Sequence, residues 1–185
     1  MEPVMAPEPA ERRVLDVLEE IGISWERHEH PPVFTVEQAG VHWKGIPGLH
    51  LKNLFLRNNR GNRQYLVIVE ISKKVDLKAL ARLLREDRFS FGSADRLKRV
   101  LGVDPGSVSA FNLINDPAHA VEVVLDEDLR TAELVNFHPN VNTVTLTIRG
   151  ADLLAFLART GHRVRFLKFG GQGEPMPDEG GTSGR

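Results

Sequence analysis

The residues of this chain that could do chemistry fall into no familiar catalytic triad or metal motif. The sequence contains no G-x-S-x-G elbow, no P-loop, no G-x-G-x-x-G and no H-E-x-x-H. It also has no cysteine, which removes thiolate nucleophiles, thiolate metal sites and disulfides together. Among the seven histidines only His28 and His30 form a close pair. Two apart on a strand they share a face, so a metal site is conceivable, but no third ligand stands at a recognisable spacing, and neither metal nor cofactor is expected.

Four segments instead carry polar groups that a plain core does not need. In His30-Pro31-Pro32-Val33-Phe34-Thr35 the prolines forbid helix and hold a histidine and a phenylalanine in fixed places. In His50-Leu51-Lys52-Asn53, counting in twos puts Lys52 in phase with Leu54 and Leu56, so its ammonium starts from a core-facing row. Burying an unpaired charge there is costly, which asks for a partner or a job unless Lys52 snorkels from the strand end. Gly106-Ser107-Val108-Ser109-Ala110 is a loop of small residues that lets backbone amides and carbonyls approach a ligand. In Phe137-His138-Pro139-Asn140-Val141-Asn142 the amide of Asn142 is in phase with Val144, Leu146 and Ile148 and must find a hydrogen-bond partner.

The elements that must position these groups read as a mixed α/β domain, a partly antiparallel sheet packed with helices. Residues 1–9 are a proline-rich lead-in, 10–169 the folded domain, and the Gly- and Pro-rich stretch 170–185 a disordered tail. Helical periodicity predicts a helix over Ala10–Ile21 stopped by Gly22, another capped by Asp76, a third over Ser93–Leu101 ended by Gly102, and a last one over Ala151–Arg159. A short helix over Val36–Val41 is capped by Thr35. Strands are expected at Ser24–His30, Leu49–Leu56, Tyr65–Val69, Val121–Leu125, Glu133–Phe137, Val141–Ile148 and Arg163–Phe169. The second and third form a hairpin through Asn58–Asn62.

With 185 residues the chain is long enough for one domain with a real core, and no long apolar run or signal-type start supports spanning or secretion. The absence of cysteine fits a reducing cytoplasm. A net charge of −1 argues against coating nucleic acid by bulk electrostatics, and no recognition-helix pattern points to DNA. A local patch is another matter: residues 73–99 hold nine Lys/Arg against four acids. Lys78, Arg82 and Arg85 share one outer helical face there, a candidate phosphate surface.

Glu29-His-Pro-Pro-Val-Phe-Thr35, Lys52-Asn-Leu-Phe-Leu56, Pro105-Gly-Ser-Val-Ser109 followed by Asn112-Leu-Ile-Asn-Asp116, and Asn136-Phe-His-Pro-Asn-Val-Asn142 occur in one order and spacing. By these segments the chain resembles the free-standing prolyl-tRNA editing domains, relatives of the insertion domain of bacterial prolyl-tRNA synthetases and of the free-standing Cys-tRNA deacylases. The resemblance covers about Ala10 to Phe169. It implies hydrolysis of the ester joining alanine to the terminal ribose of mischarged tRNA(Pro). It implies that Lys52 holds the terminal nucleotide end, and that the Gly106–Ala110 loop lines the aminoacyl pocket and orients the attacking water. Lys52, Gly106 and His138 are then the expected catalytic group. His30, Phe34, Thr35, Asn53, Ser107, Val108, Ser109, Ala110, Asn140 and Asn142 are the expected substrate contacts. Prolyl-tRNA synthetase is a possible physical partner. Ser107 or Ser109 as a nucleophile lacks a base placed by sequence. One departure stands out, since the family loop reads Gly-x-x-x-Pro and its fifth position here is Ala110. The loss of a fixed φ there is expected to loosen the pocket. That departure keeps a rival in view, a non-catalytic module that holds an aminoacyl or nucleotide end. Trp43, in the individual segment 41–49, either covers the site or packs.

Overall fold

A computed structural model describes residues 6–32, 40, 42–170 and, for the backbone only, 175–177. The helices are α1 (Pro9–Glu20), α2 (Leu77–Leu83), α3 (Ala94–Leu101) and α4 (Gly150–Thr160). The strands are β1 (Glu26–Glu29), β2 (Leu49–Asn58), β3 (Gln64–Glu70), β4 (Phe89–Phe91), β5 (Val121–Asp126), β6 (Leu134–Phe137), β7 (Val144–Arg149), β8 (Val164–Phe169) and β9 (Pro175–Pro177). Two 3-10 turns, Ala110–Asn115 and Glu127–Arg130, complete the described elements. The helix stops follow the expected chemistry. The Asp76 carboxylate accepts from the backbone N–H groups of Lys78 and Ala79, and Gly102 closes α3 in the left-handed conformation.

The strands run in the order β1-β7-β6-β2-β3-β5-β8-β9, with β4 added to the far end of β2. β2 is antiparallel to β3 and parallel to β6, and β3, β5 and β8 are mutually parallel. The mixed sheet and the β2–β3 hairpin agree with the expected fold class. Three details differ. β4 carries no sequence signal of its own in a run of three residues. The strand expected from Val141 starts only at Val144, because Asn140 takes a left-handed φ of 62° and turns the chain before it can extend. Within the expected disordered tail, Pro175–Pro177 pairs antiparallel with β8, whose open backbone edge offers a template to any extended segment nearby.

Each sheet face meets its own cluster. One is packed by α1, α3, the first 3-10 turn and α4, and receives Leu51 and Phe55 of β2, Leu66 and Ile68 of β3, Val135 and Phe137 of β6, and Val144, Leu146 and Ile148 of β7. The other carries Leu56, Tyr65, Val67, Val69, Val124 and Leu167 under α2 and Phe89. That second cluster stops at β2. Beyond it the same face continues over β6, β7 and β1 as Asn136, Thr147, Thr145 and His28, by the strand alternation and the register Asn136↔Thr147 and His28↔Thr145. His50 and Lys52 lie on this face as well, since they alternate with the residues that enter the first cluster. The polar half of the second face is where the site lies.

Candidate functional site

β2 changes partner along its length. Leu49 and His50 pair with β6, whereas Leu56 to Asn58 pair with β4. Between them β2 has no strand partner on that side among the described residues, and a narrow cleft opens there. Trp43, His50, Leu51, Asn53, Asn136, Phe137, His138 and Thr145 line it. A ligand site in the split beside a parallel strand pair is the position expected of α/β sheets. The pairing that starts the split needs a glycine. Gly48 has φ +93°, and a Cβ there would lie 2.7–2.8 Å from Leu134 of β6.

The polar face is wired as a relay. His28 Nε2 donates to Thr147 Oγ1 at 3.0 Å, and Thr147 Oγ1 donates to Asn136 Oδ1 at 2.6 Å. Asn136 Nδ2 then donates to the carbonyls of Pro47 at 2.9 Å and Leu49 at 3.2 Å. Three residues from three strands thus hold the turn that delivers His50. Thr145 Oγ1 donates to His30 Nε2 at 3.0 Å, while His30 Nδ1 donates to the Pro31 carbonyl at 2.9 Å. The His30 ring lies 5.5 Å from that of His138. His28 and His30 are therefore each committed to a threonine, and the described residues contain no group of three ligands suited to a metal.

Burial keeps the cleft imidazoles uncharged. It lowers the pKa of His138 to about 4, against a partial offset from the hydrogen bond of Nδ1 to the Val144 carbonyl at 2.8 Å. With Nδ1 protonated, His138 Nε2 is a bare acceptor. Burial also lowers the pKa values of His30 and His50. The positive charge of the site therefore rests on Lys52. Its Nζ donates to the carbonyl of Ile71 at 3.3 Å and to that of Lys73, leaving a third N–H. Burial lowers the Lys52 pKa while Glu70 opposes the shift. Lys73, which supplies one of those carbonyls, is itself held by Asp126 at 2.8 Å and Asp128 at 2.6 Å.

The expected site residues thus divide. The structure brings Asn53 and His138 to the cleft, with His30 behind it against Thr145 and His138 and Lys52 on the adjoining stretch of the polar face. The Gly106–Ala110 loop sits in a separate buried network. Gly106 has φ +93°, Ser109 Oγ accepts from the Phe111 N–H at 3.0 Å, and the Ser109 N–H donates to Asn112 Oδ1 at 2.6 Å. The Ser109 hydroxyl is a helix cap in this arrangement. Asn112 Nδ2 donates to the Ser107 carbonyl at 3.1 Å and to Asn140 Oδ1 at 2.9 Å. Asn140 Nδ2 donates in turn to the Ala10 carbonyl at 3.2 Å, so the Asn140 amide is a bracket between loop and α1. Val108 packs against the first cluster, and Ala110 is fully buried in it. Ala110 is the first residue of the 3-10 turn, where a proline also fits because that N–H has no intrahelical partner. The expectation that its alanine loosens the loop is thereby corrected, since the Ser109–Asn112 box fixes the turn without it. Asn142 precedes β7, so its predicted strand phase does not apply. Phe34, Thr35 and the short helix predicted after them lie outside the described residues.

On the basic surface, Lys78 and Arg82 stand exposed on α2, whereas Arg85 lies beyond the helix at φ 59°. Arg85 is not on their helical face, because the helix ends at Leu83. It lines a polar cleft with Asn58, Asn59, Arg60, Asn62, Arg63, Glu86 and Asp87. Sequence reasoning missed Asn136, Thr145, Thr147 and Asp126. The threonine alternation in β7 was visible, but only the sheet order reveals that its polar face meets histidines.

Comparison with known proteins places the chain in a family. Residues 30–156 match the family model of the aminoacyl-tRNA editing domain. The prolyl-tRNA editing protein ProX of Acetoanaerobium sticklandii is 34% identical over 160 residues, covering 86% of this chain and 97% of that one. The prolyl-tRNA synthetase associated domain-containing protein 1 of Danio rerio is 32% identical, covering 89% and 90%. A crystal structure described as a candidate trans-editing enzyme for prolyl tRNA synthetase superposes with a TM-score of 0.67 at 25% identity, covering 89% of this chain and all of that one. The matched segment, the near-complete coverage of relatives and the shared architecture establish that the chain belongs to the aminoacyl-tRNA editing family, whose chemistry is the deacylation of mischarged tRNA.

Proposed function

We propose that this chain is a trans-editing hydrolase that removes alanine from Ala-tRNA(Pro). The observation that carries the reading is a narrow cleft of uncharged imidazoles and amides beside a single anchored ammonium. An aminoacyl ester is already activated, so its hydrolysis needs position and electrostatic help more than a covalent nucleophile. Water attacks the ester carbonyl, the bond from that carbon to the ribose oxygen breaks, and the proton released by water ends on the departing ribose hydroxyl.

In this reading Lys52 holds the nucleotide end through the N–H not used by Ile71 and Lys73. His138 Nε2 accepts a hydrogen bond from the attacking water and orients it; its low pKa suits an acceptor better than a proton store. The Gly106–Ala110 loop acts on the cleft indirectly, by bracing the His138 segment through Asn112 and Asn140. The small cleft favours alanine among the amino acids mistakenly attached to tRNA(Pro). Lys78 and Arg82, with Arg85 in its own cleft, supply phosphate contacts for the acceptor stem, and prolyl-tRNA synthetase is the source of the error and a possible docking partner.

The test is release of labelled amino acid from Ala-, Cys-, Ser- and Pro-tRNA(Pro). Selective release from Ala-tRNA(Pro), falling about 10²–10³-fold in Lys52→Ala while the protein stays folded, is expected for loss of one preorganised electrostatic contact. Full activity in that variant overturns the role of Lys52, and release from a different ester changes the substrate.

A further inference from the structure

The side chain of Asp126, at the end of β5, is fully buried, and a carboxylate in that position needs partners. It stands near the ammonium of the site. Lys52 of β2 lies opposite Val69 of β3, and Ile68 of β3 lies beside Leu125 of β5, so one step on Asp126 comes beside Val69. Val69 and Val124 belong to the second face, and Lys52 and Asp126 share it with them by strand alternation. The two charges are thus two strands apart on one face. By the spacing of paired strands that is about 10 Å, too far for a direct hydrogen bond.

The turn after β3 fills that gap, and Lys73 reaches both ways. Its carbonyl accepts from Lys52 Nζ, and its own Nζ donates to Asp126 Oδ1 at 2.9 Å, with Oδ2 at 2.8 Å. Within the turn the Lys73 N–H donates to the Glu70 carbonyl at 3.1 Å, and the Ser72 N–H to Glu70 Oε2 at 3.0 Å. Ile71, whose carbonyl accepts from Lys52 Nζ at 3.3 Å, stands in the same turn. The ion pair therefore fixes both acceptors of Lys52. It also commits the buried carboxylate to Lys73, so that the Lys52 ammonium is aimed by neutral carbonyls and keeps its charge for the substrate. A largely buried ion pair is weak evidence for stability, because taking both charges out of water offsets their attraction. Its place beside Lys52 gives it another task.

We propose that Asp126 and Lys73 are positioning residues for the reaction: their ion pair holds the turn after β3 where its carbonyls aim the Lys52 ammonium at the substrate. The inference rests on the deacylase reading and on the role given there to Lys52, and it deepens both. Asp128, the other partner of Lys73 at 2.6 Å, is 59% exposed, and water screens an ion pair at that position. Asp126 therefore carries the bracket. Neither member touches the ester. Their effect passes through one backbone carbonyl, and misplacing a reacting contact by about 1 Å is enough to cost a large factor in rate.

The experiment is a double-mutant cycle of Asp126→Asn with Lys52→Ala, read as single-turnover deacylation of Ala-tRNA(Pro) with enzyme in excess. Asp126→Asn is expected to lower the rate about tenfold or more when Lys52 is present. With Lys52 already alanine it should change the rate less than about twofold, since no ammonium is left to misplace. A general loss of stability lowers the rate by the same factor in both backgrounds. A second variant, Asp126→Leu with Lys73→Met, replaces the pair by apolar side chains of similar size. It is expected to match the wild type in chemical denaturation and still lose about tenfold in rate. Full rate in that folded variant, or an equal loss from Asp126→Asn with and without Lys52, overturns the bracket and leaves the deacylase reading intact. Full rate in Lys52→Ala alone overturns the role of Lys52 and the bracket with it. No release by the wild type overturns the deacylase reading itself.

Discussion

The second face of the sheet is two surfaces laid end to end. Over β3, β5 and β8 it is Tyr65, Val67, Val69, Val124 and Leu167 beneath Leu80 and Ala81 of α2 and Leu84 just after it, closed and apolar. Over β6, β7 and β1 it is Asn136, Thr147, Thr145 and His28, and its hydrogen bonds run laterally from strand to strand instead of upward into a helix. Both halves share one backbone and one twist. What separates them is whether a helix arrives to exclude water. Where α2 covers the sheet, burial is the stabilising force and chemistry has no room. Where no described helix covers it, each polar side chain is fixed by its neighbour, and rigidity comes without closure. A site that must admit the end of a tRNA needs the second arrangement, since the half that binds cannot be the half that is sealed. β2 belongs to both, with Leu56 in the apolar cluster and His50 and Lys52 on the open side.

This division can be broken from either end. The largest stability effect belongs to the covered half: Leu80→Ala, at a fully buried position, is expected to cost about 2–5 kcal/mol in chemical denaturation while the folded fraction keeps its rate of deacylation. On the open half, Thr147→Val removes a hydroxyl that both accepts from His28 and donates to Asn136, at about 1–3 kcal/mol. Unlike the leucine change, it also releases the Pro47–Leu49 turn, so activity per folded molecule should fall as well. If the two variants gave the same ratio of activity loss to stability loss, the distinction between the halves would fail.

Acid sharpens the comparison, because it acts on the open half first. An unfolded His138 takes a proton near pH 6.5, the folded one only near pH 4. Between those values the unfolded state binds more protons, so the contribution of His138 is full above about pH 6.5 and is lost as pH falls towards 4. Burial pulls His30 and His50 in the same direction. A pH series of denaturation midpoints should show this decline, about 1–2 kcal/mol for His138 once solvent screening is allowed for. His138→Gln should flatten it. The smallest expected effect lies away from both halves. Ala110→Pro should raise stability by about 0.4–1 kcal/mol with little change in hydrolysis, since the position opens a 3-10 turn already held by Ser109 and Asn112. A large activity change in that variant would show that the loop geometry depends on residue 110 after all.

Much of this was legible in the order of residues, and for local reasons. Helix ends follow Asp76, Gly22 and Gly102 because capping is decided within a few residues, and the β2–β3 hairpin follows from two apolar runs around Asn58–Asn62. The suspicion about Lys52, His138 and the Gly106 loop rested on residue type against strand phase, which is also local. The fate of Asn140 was not legible. Its amide reads like a substrate contact in the sequence, yet its partners are Asn112, 28 positions away, and the Ala10 carbonyl, 130 away.

By itself the sequence determined the element types, the hairpin whose first strand carries the ammonium, and the family to which these motifs point, because periodicity, capping and motif spacing are properties of neighbouring residues. Only the tertiary structure decided which faces meet. It set β6 beside β2 and β7 beside β1, joined His28, Thr147 and Asn136 into one relay, and gave the Lys52 ammonium its two carbonyls. A hydrogen bond is short and directional, so whether a polar group is satisfied depends on what the fold brings within about 3 Å of it, a distance that sequence separation does not encode.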